Sequence, residues 1–439
     1  MSQQPGALIA MSGGVDSSVA AYLMQQAGYR CVGATMRLYQ NEEPGVDGLQ
    51  TCGSSQDVED AAAVAQRLGM PFTVLNYTAE FRENVIADFI GTYEAGGTPN
   101  PCIVCNRTMK FGRLLAYARQ QGLEYLVTGH YARIDQDPET GRWLLKKARH
   151  IEKDQSYVLA VMNQEQLAHV KFPLGDMDKP SIRALAETLQ FCNAHKGDSQ
   201  DICFVPDGDY VGFMERFTGK SYPAGDFVDV TGKVVGRHRG AVRYTNGQRK
   251  GLGLALGAPV YVCGKDMLAN TVTVGPETVL FTTTLTADNW NWISIPELTA
   301  PLRVKAKARY RQPEQPATVR PLDGGRAEVV FDTPQRAITP GQTVVLYDGA
   351  RASNARPYKQ RANLCQPPIC TAGWGHPALR GNKKISTLSK RPPCYAGQAL
   401  FWRKSQNFFR FDIAKPCIIW YYTKMNTYKC VQFRKRESL

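Results

Sequence analysis

Short apolar runs alternate with longer amphipathic ones through the first part of the chain. Residues 7–11 (Ala-Leu-Ile-Ala-Met) are an unbroken apolar run of strand length, and a helix-like run over 19–27 follows after a polar interval. A second short run occupies 32–36. Asp57 then precedes a helical pattern over 58–68 that stops at Gly69, and a third strand pattern covers 72–75. Residues 125–131 make another strand, ending in Gly129 and His130. Strands alternating with helices of this length predict βαβ units, an α/β parallel sheet of Rossmann-like type with helices on both faces. Ligands of such sheets bind beyond the carboxyl ends of the strands, where the interval after residue 11, the surroundings of Met36 and Gly129 would meet. From about Asp209 the helical pattern fades, and short alternating runs at 228–235, 258–262 and 271–274, punctuated by Gly and Pro, read as β-rich. Residues 303–309 alternate as a strand with one basic face.

Charge changes this picture only at the end of the chain. The net charge is +14 over 439 residues, but 351–439 hold 18 Lys and Arg against Asp412 and Glu437 alone. The first 350 residues carry 35 basic and 37 acidic side chains, so their charge is no argument for nucleic-acid binding. No stretch approaches the roughly 18–20 apolar residues of a membrane span. The first residues also lack the charged and apolar regions of a signal peptide, so a cytoplasmic, membrane-free protein with mostly reduced cysteines is expected. Twelve cysteines exceed what a core of this size needs, which draws attention to redox or sulfur chemistry.

Three segments carry candidate chemistry. Ser12-Gly13-Gly14-Val15-Asp16-Ser17-Ser18 lies between the first strand and the first helix. Its glycines let backbone approach a ligand, and amides at the helix start attract an anion. No Lys follows as in the common phosphate-binding loop, and the segment instead resembles the pyrophosphate loop of ATP-dependent adenylyl transferases. The second segment is Thr98-Pro99-Asn100-Pro101-Cys102-Ile103-Val104-Cys105-Asn106, before a helical run over 110–121. Its prolines predict an extended lead-in that leaves Cys102 and Cys105 outside regular structure. The pair reads as half a zinc site, a redox or sulfur-transfer pair, or incidental; no second Cys-x-x-Cys supplies the remaining zinc ligands, and no metal is assigned. The third is Gly197-Asp198-Ser199-Gln200-Asp201-Ile202-Cys203-Phe204, which sets a cysteine between apolar neighbours.

These three segments, in this order, resemble the tRNA-specific 2-thiouridylases, and the likeness continues through TGHYAR, KDQSYVL, YTNGQRKGLGL, KARYRQ and TPGQTVVLYDG, covering about 5–349. The resemblance implies ATP binding, with Mg2+, by Ala10, Met11, Ser12, Gly13, Gly14, Val15, Asp16, Ser17, Met36 and Gly129. It implies Cys105 as nucleophile and Cys203 as carrier of a persulfide sulfur. It assigns tRNA contacts to Asn100, Pro101, Cys102, His130, Lys153, Asp154, Gln155, Arg309, Tyr310 and Gln342. Many members have Asp at the position of Cys102. The implied partners are tRNA and a sulfur-relay donor protein or cysteine desulfurase, with the enzyme acting as a monomer. The implied organisation is a catalytic domain over 1–208, a central β-rich domain over 209–290, a C-terminal β-barrel over 291–349, and an atypical basic tail over 350–439.

The tail replaces the glycine-rich final strand of the family and reads as an RNA-binding extension, a disordered segment or, with slight preference, a reading-frame artefact. Two other functional readings stand beside thiolation of the wobble uridine. One is a tRNA-binding protein without turnover, the other a pyrophosphate-loop synthetase of another kind.

Overall fold

Alternate residues of the first strand belong to opposite cores, which fixes the architecture of the N-terminal domain. In β1 (Gly6–Ala10), Ala7 and Ile9 join a cluster containing Val19, Ala20, Met24, Ala61, Val64 and Ile182, while Leu8 joins one containing Phe111, Leu115, Leu126, Tyr157 and Leu159. A strand buried on both faces needs helices above and below it. The helix α1 (Val15–Gln26) lies on the first side, with α2 (Ser55–Arg67). β2 (Arg30–Arg37), β3 (Phe72–Asn76), β4 (Tyr125–Val127) and, after the hairpin β5 (Ala132–Gln136) and β6 (Trp143–Lys147), β7 (Val170–Lys171) complete the strands of this region. The sheet runs β3-β2-β1-β4-β7 with every pair parallel. The computed structural model describes residues 4–39, 54–198 and 202–349, and beyond them strands within 351–357, 419–422 and 428–431.

Local chemistry accounts for the helix starts. Ser54 caps α2 by accepting from the Asp57 amide while Asp57 accepts from the Ser54 amide, a reciprocal capping box. Residues 101–120 are continuously helical, as Pro101–Cys105, a wider π-helical stretch Asn106–Leu114, and Leu115–Gln120. This corrects the expectation that both cysteines lie outside regular structure. Pro101 stands at the first helical turn, where its fixed φ suits the helix and its missing N–H costs nothing, so Cys102 and Cys105 are helical residues.

The region that follows is β-rich. β8 (Gly225–Val228), β9 (Val234–His238), β10 (Tyr261–Asp266) and β11 (Thr271–Gly275) form a sheet in the order β10-β11-β8-β9 around Phe227, Tyr244, Val262 and Val272. A larger antiparallel sheet comprises β12 (Phe281–Ala287), β13 (Leu302–Lys307), β14 (Gln315–Leu322), β15 (Arg326–Arg336), β16 (Thr343–Asp348) and β17 (Arg351–Pro357). In β13 the expected alternation is present: Val304 and Ala306 are buried, Arg303 and Lys305 exposed and Lys307 half-buried. β17 pairs with β16 along its length and, at Arg351 and Ala352, with β6, so the hairpin of the N-terminal domain extends the same eight-stranded sheet. The first residues of the atypical tail therefore supply a strand. The chain divides into units 1–369 and 370–439, and within the second the described part is an antiparallel pair, β18 (Ile419–Tyr422) and β19 (Tyr428–Val431).

Candidate functional site

The loop after β1 sits where the sheet order reverses, between β2 on one side of β1 and β4 on the other, the location of ligand crevices in such sheets. Gly13 adopts φ +74°, and a Cβ there would lie 2.4 Å from the Asp57 carbonyl oxygen, so only glycine fits the turn. Gly14 caps α1 without any side-chain bond, which leaves the first amides of the helix for an anion. The Ser17 hydroxyl accepts from the Ser12 amide and donates to the Gly14 carbonyl; Asn193 donates to the Gly13 carbonyl and to Ser18. Ser12 is exposed, Ala10 and Gly14 half-buried, and Met11 and Val15 buried, so Met11 and Val15 present backbone to the crevice. Gly129 follows β4, and a Cβ on it would stand 2.8 Å from the Ser17 amide nitrogen; its bareness lets the strand end pack on the first turn of α1.

Asp16 is held from two directions. The Tyr131 hydroxyl donates to it at 2.7 Å, and Lys179 Nζ lies 2.7 and 2.9 Å from its oxygens. Burial, reinforced by the bond to Asp16, raises the Tyr131 hydroxyl pKa far above its ordinary value. Lys179 also contacts Asp198 at 2.8 Å, and Asp198 receives Lys153 at 3.0 Å and Arg183 at 3.3 Å. Burial works to raise the Asp198 carboxyl, but hydrogen bonds from Lys179 and Lys153 outweigh it and hold its pKa below the usual carboxylate value. This hub joins the glycine loop, the 153–155 turn and the segment before Cys203. Sequence reasoning missed Lys179 and Tyr131. The Asp178 cap on Ser181 marks a helix start, but nothing local points Lys179 at a residue 163 positions away.

Cys105 and Cys203 pack against one aromatic cluster containing Tyr39, Phe81, Phe89, Phe204 and Phe213, which Met36 also borders. Both cysteines are half-buried, whereas Cys102 is exposed. Cys203 occupies a turn closed by the Val205 amide on the Ile202 carbonyl, and Tyr39 Oη lies 3.2 Å from its sulfur. Residues 199–201 of its motif lie outside the described residues.

Of the expected tRNA-contacting residues, Asn100, Pro101 and Cys102 open the Pro101 helix and Gln342 binds the segment before it, whereas Lys153 is bound to Asp198 and His130 lies beside Lys110. Pro101 is buried and Asn100 half-buried. Gln342 donates to the Thr98 and Pro99 carbonyls at 2.8 and 3.3 Å, and the Thr98 amide donates to Pro340. Tyr310 donates to the Asp154 carbonyl at 3.5 Å; burial, together with the charges of Asp154 and Cys102, raises its hydroxyl pKa. Asp154 organises its own turn by accepting from Ala148 and Ser156, and Gln155 accepts from the Tyr131 amide. Arg309 is turned inward onto the Ala337 carbonyl and Thr339. His130 lies between Lys110 (Nε2, 3.4 Å) and Thr128 (Nδ1, 2.7 Å). An ammonium only donates, so Nε2 accepts and Nδ1–H donates to Thr128. Burial, with the Lys110 charge, pushes the His130 pKa well below its ordinary value and keeps the ring neutral. An open cavity of about 500 Å³ in the β-rich region is lined by Phe281, Arg309, Arg311, Gln335 and Arg336.

Comparison with known proteins agrees with this layout. Residues 6–207 match a family described as the tRNA methyl transferase HUP domain, 212–276 one described as the tRNA methyl transferase PRC-barrel domain, and 282–352 one described as the aminomethyltransferase beta-barrel domain. The tRNA-specific 2-thiouridylase MnmA of Acetivibrio thermocellus is 48% identical over 343 residues, 78% of this chain and 96% of that protein. Its counterpart in Moorella thermoacetica is 49% identical over 342 residues, with coverage of 78% and 96%. Among solved structures, a 4-thiouridine synthetase–RNA complex with bound ATP aligns at a TM-score of 0.31 and 18% identity, over 48% of this chain and 50% of that one.

Proposed function

The chain belongs to the family of tRNA-specific 2-thiouridylases, which are sulfurtransferases, and on that premise we propose that it replaces the C2 oxygen of the wobble uridine of tRNA with sulfur, using ATP as activating substrate. The observation that carries this reading is the shared seat of Cys105 and Cys203 on one aromatic cluster, bordered by Met36 from the strand next to the glycine loop.

Oxide at C2 of uracil is a poor leaving group. Adenylation of that oxygen by ATP releases pyrophosphate and makes AMP the leaving group. The uncapped start of α1, the Gly13 turn and the exposed hydroxyl of Ser12 suit the phosphates, with Ser17 bracing the loop from within and Lys179 as the cation beside Asp16. Any Mg2+ would travel on the phosphates, as this ion commonly does. A persulfide on Cys203, loaded by a sulfur donor protein, attacks C2 through its outer sulfur and AMP departs. Cys105 thiolate then attacks the inner sulfur; the bond between the two persulfide sulfurs breaks, its electron pair stays with the sulfur on C2, and a Cys105–Cys203 disulfide forms. An outside thiol must reduce that disulfide before another turnover.

A base stacked within an anticodon cannot reach these sulfurs, so the uridine must leave the stack, as enzymes that act on bases require. Asn100, Pro101 and Cys102 at the helix start, with the 153–155 turn, Tyr310 and Gln342 around them, form the rim expected to receive it. Among the described residues no helix is long and apolar enough to cross a membrane. Oxygen tracing tests the activation step. With tRNA carrying oxygen-18 at O2 of the wobble uridine, AMP recovered after one turnover should hold the label; unlabelled AMP alongside thiouridine would refute adenylation at that oxygen.

A further inference from the structure

We propose that Tyr39 is a working part of the sulfur-transfer site, its hydroxyl donating a hydrogen bond to the Cys203 sulfur and holding that sulfur as thiolate for loading. The hydrogen bond rests on geometry; its use in loading rests on the function proposed above. Tyr39 lies two residues beyond the end of β2 and is only 5% exposed. Its ring meets Phe81 edge-on at 5.1 Å and Phe204 at 6.5 Å, which fixes the position of the ring and its oxygen. Tyr39 Oη stands 3.2 Å from Cys203 Sγ. A thiolate can only accept, which makes the phenol the donor in the reactive state.

A donor matters at Cys203 because the described side chains packed beneath it are apolar. The cluster beneath it contains Phe81, Phe89, Phe204 and Phe213, and burial against such groups raises a thiol pKa. A hydrogen bond made to the charged form counters that effect, and more strongly where water is scarce. In the loading step the Cys203 thiolate attacks the outer sulfur of the donor protein's persulfide. The new bond joins the Cys203 sulfur to that outer sulfur, the donor's own sulfur–sulfur bond breaks, and its electron pair leaves as the donor thiolate. Only the ionised form of Cys203 performs this attack, so the Tyr39 hydroxyl sets how much of the enzyme is ready for sulfur at neutral pH.

Tyr39→Phe deletes one oxygen and keeps the ring. Reduced full-length protein is alkylated with iodoacetamide over a range from about pH 6 to about pH 10, bracketing the ordinary thiol pKa. Peptide mass spectrometry then follows Cys203, with Cys192 as internal reference. Cys192 is exposed and bonds the Asp60 carbonyl, away from the aromatic cluster. The substitution should move the half-reactive pH of Cys203 up by about one unit, roughly tenfold less thiolate at neutral pH, and leave Cys192 where it was. Superimposed Cys203 profiles, or an equal move at Cys192, would overturn the proposal. Alkylation needs neither tRNA nor ATP. Failure of the wild type to make thiouridine would therefore count against the functional reading alone, and the Cys203 profile would still decide the role of Tyr39.

Discussion

At the scale of single residues, polar groups at the site are held by partners remote in sequence. Asp16 answers to Tyr131 and Lys179, Asp198 to Lys153, Lys179 and Arg183, and His130 to Lys110, besides Thr128 two residues before it. His130 yields a pH prediction. Its folded pKa lies well below the ordinary value, so on acidification the unfolded chain takes up a proton near pH 6.5 that the folded chain refuses. Stability must then fall as the pH drops below about 6.5, because the unfolded state binds more protons there. His130→Asn should flatten the dependence of Tm on pH between about 7 and about 5 relative to wild type. Thermal unfolding followed by circular dichroism checks this, and parallel curves for the two proteins would contradict it.

At the scale of elements, what was legible depended on whether the signal was local. The glycine loop shows in sequence because strand, turn and helix are contiguous, but α2 begins at Ser55, three residues before the expected start, because Ser54 is the cap and Asp57 its reciprocal partner inside the first turn. The placement of Cys102 and Cys105 was not legible in the same way. Two prolines suggest extended backbone, yet Pro101 at a first helical position supports a helix, and only the packing of Ile103 and Val104 into two different clusters shows which effect wins. The Lys179 and Tyr39 contacts are tertiary, and no spacing rule reveals them. β17 was hidden for another reason: the tail's composition argues against regular structure, but the open edges of β16 and β6 recruit Arg351–Pro357 between them. Truncation after Pro357 should accordingly leave a protein more stable than truncation after Gly349, by a Tm difference on the order of 5 °C. Equal melting temperatures would show that this strand adds nothing to the sheet.

At the scale of the whole molecule, two sheets serve the site around one helix start. The parallel sheet supplies the glycine loop and, through Tyr39, a contact to Cys203. The eight-stranded sheet reaches back through β17 to the N-terminal hairpin, and its loop at 339–342 grips Thr98 and Pro99 just before the Pro101 helix. Gly341 makes that grip close, since its φ of +86° and a Cβ position 2.9 Å from the Thr98 carbonyl oxygen exclude other residues. The C-terminal region thus braces the segment that the account assigns to the target base. The charge of the chain says little about this arrangement, because the surplus lies beyond residue 350. The most direct test of sulfur transfer to uridine through two cysteines is mass spectrometry of nucleosides from unmodified tRNA incubated with ATP, a persulfide donor, and the wild type, Cys105→Ser or Cys203→Ser protein. 2-Thiouridine is expected from the wild type and none above background from either variant; thiouridine from both variants, or none from a wild type that still releases pyrophosphate, would contradict sulfur transfer through these cysteines.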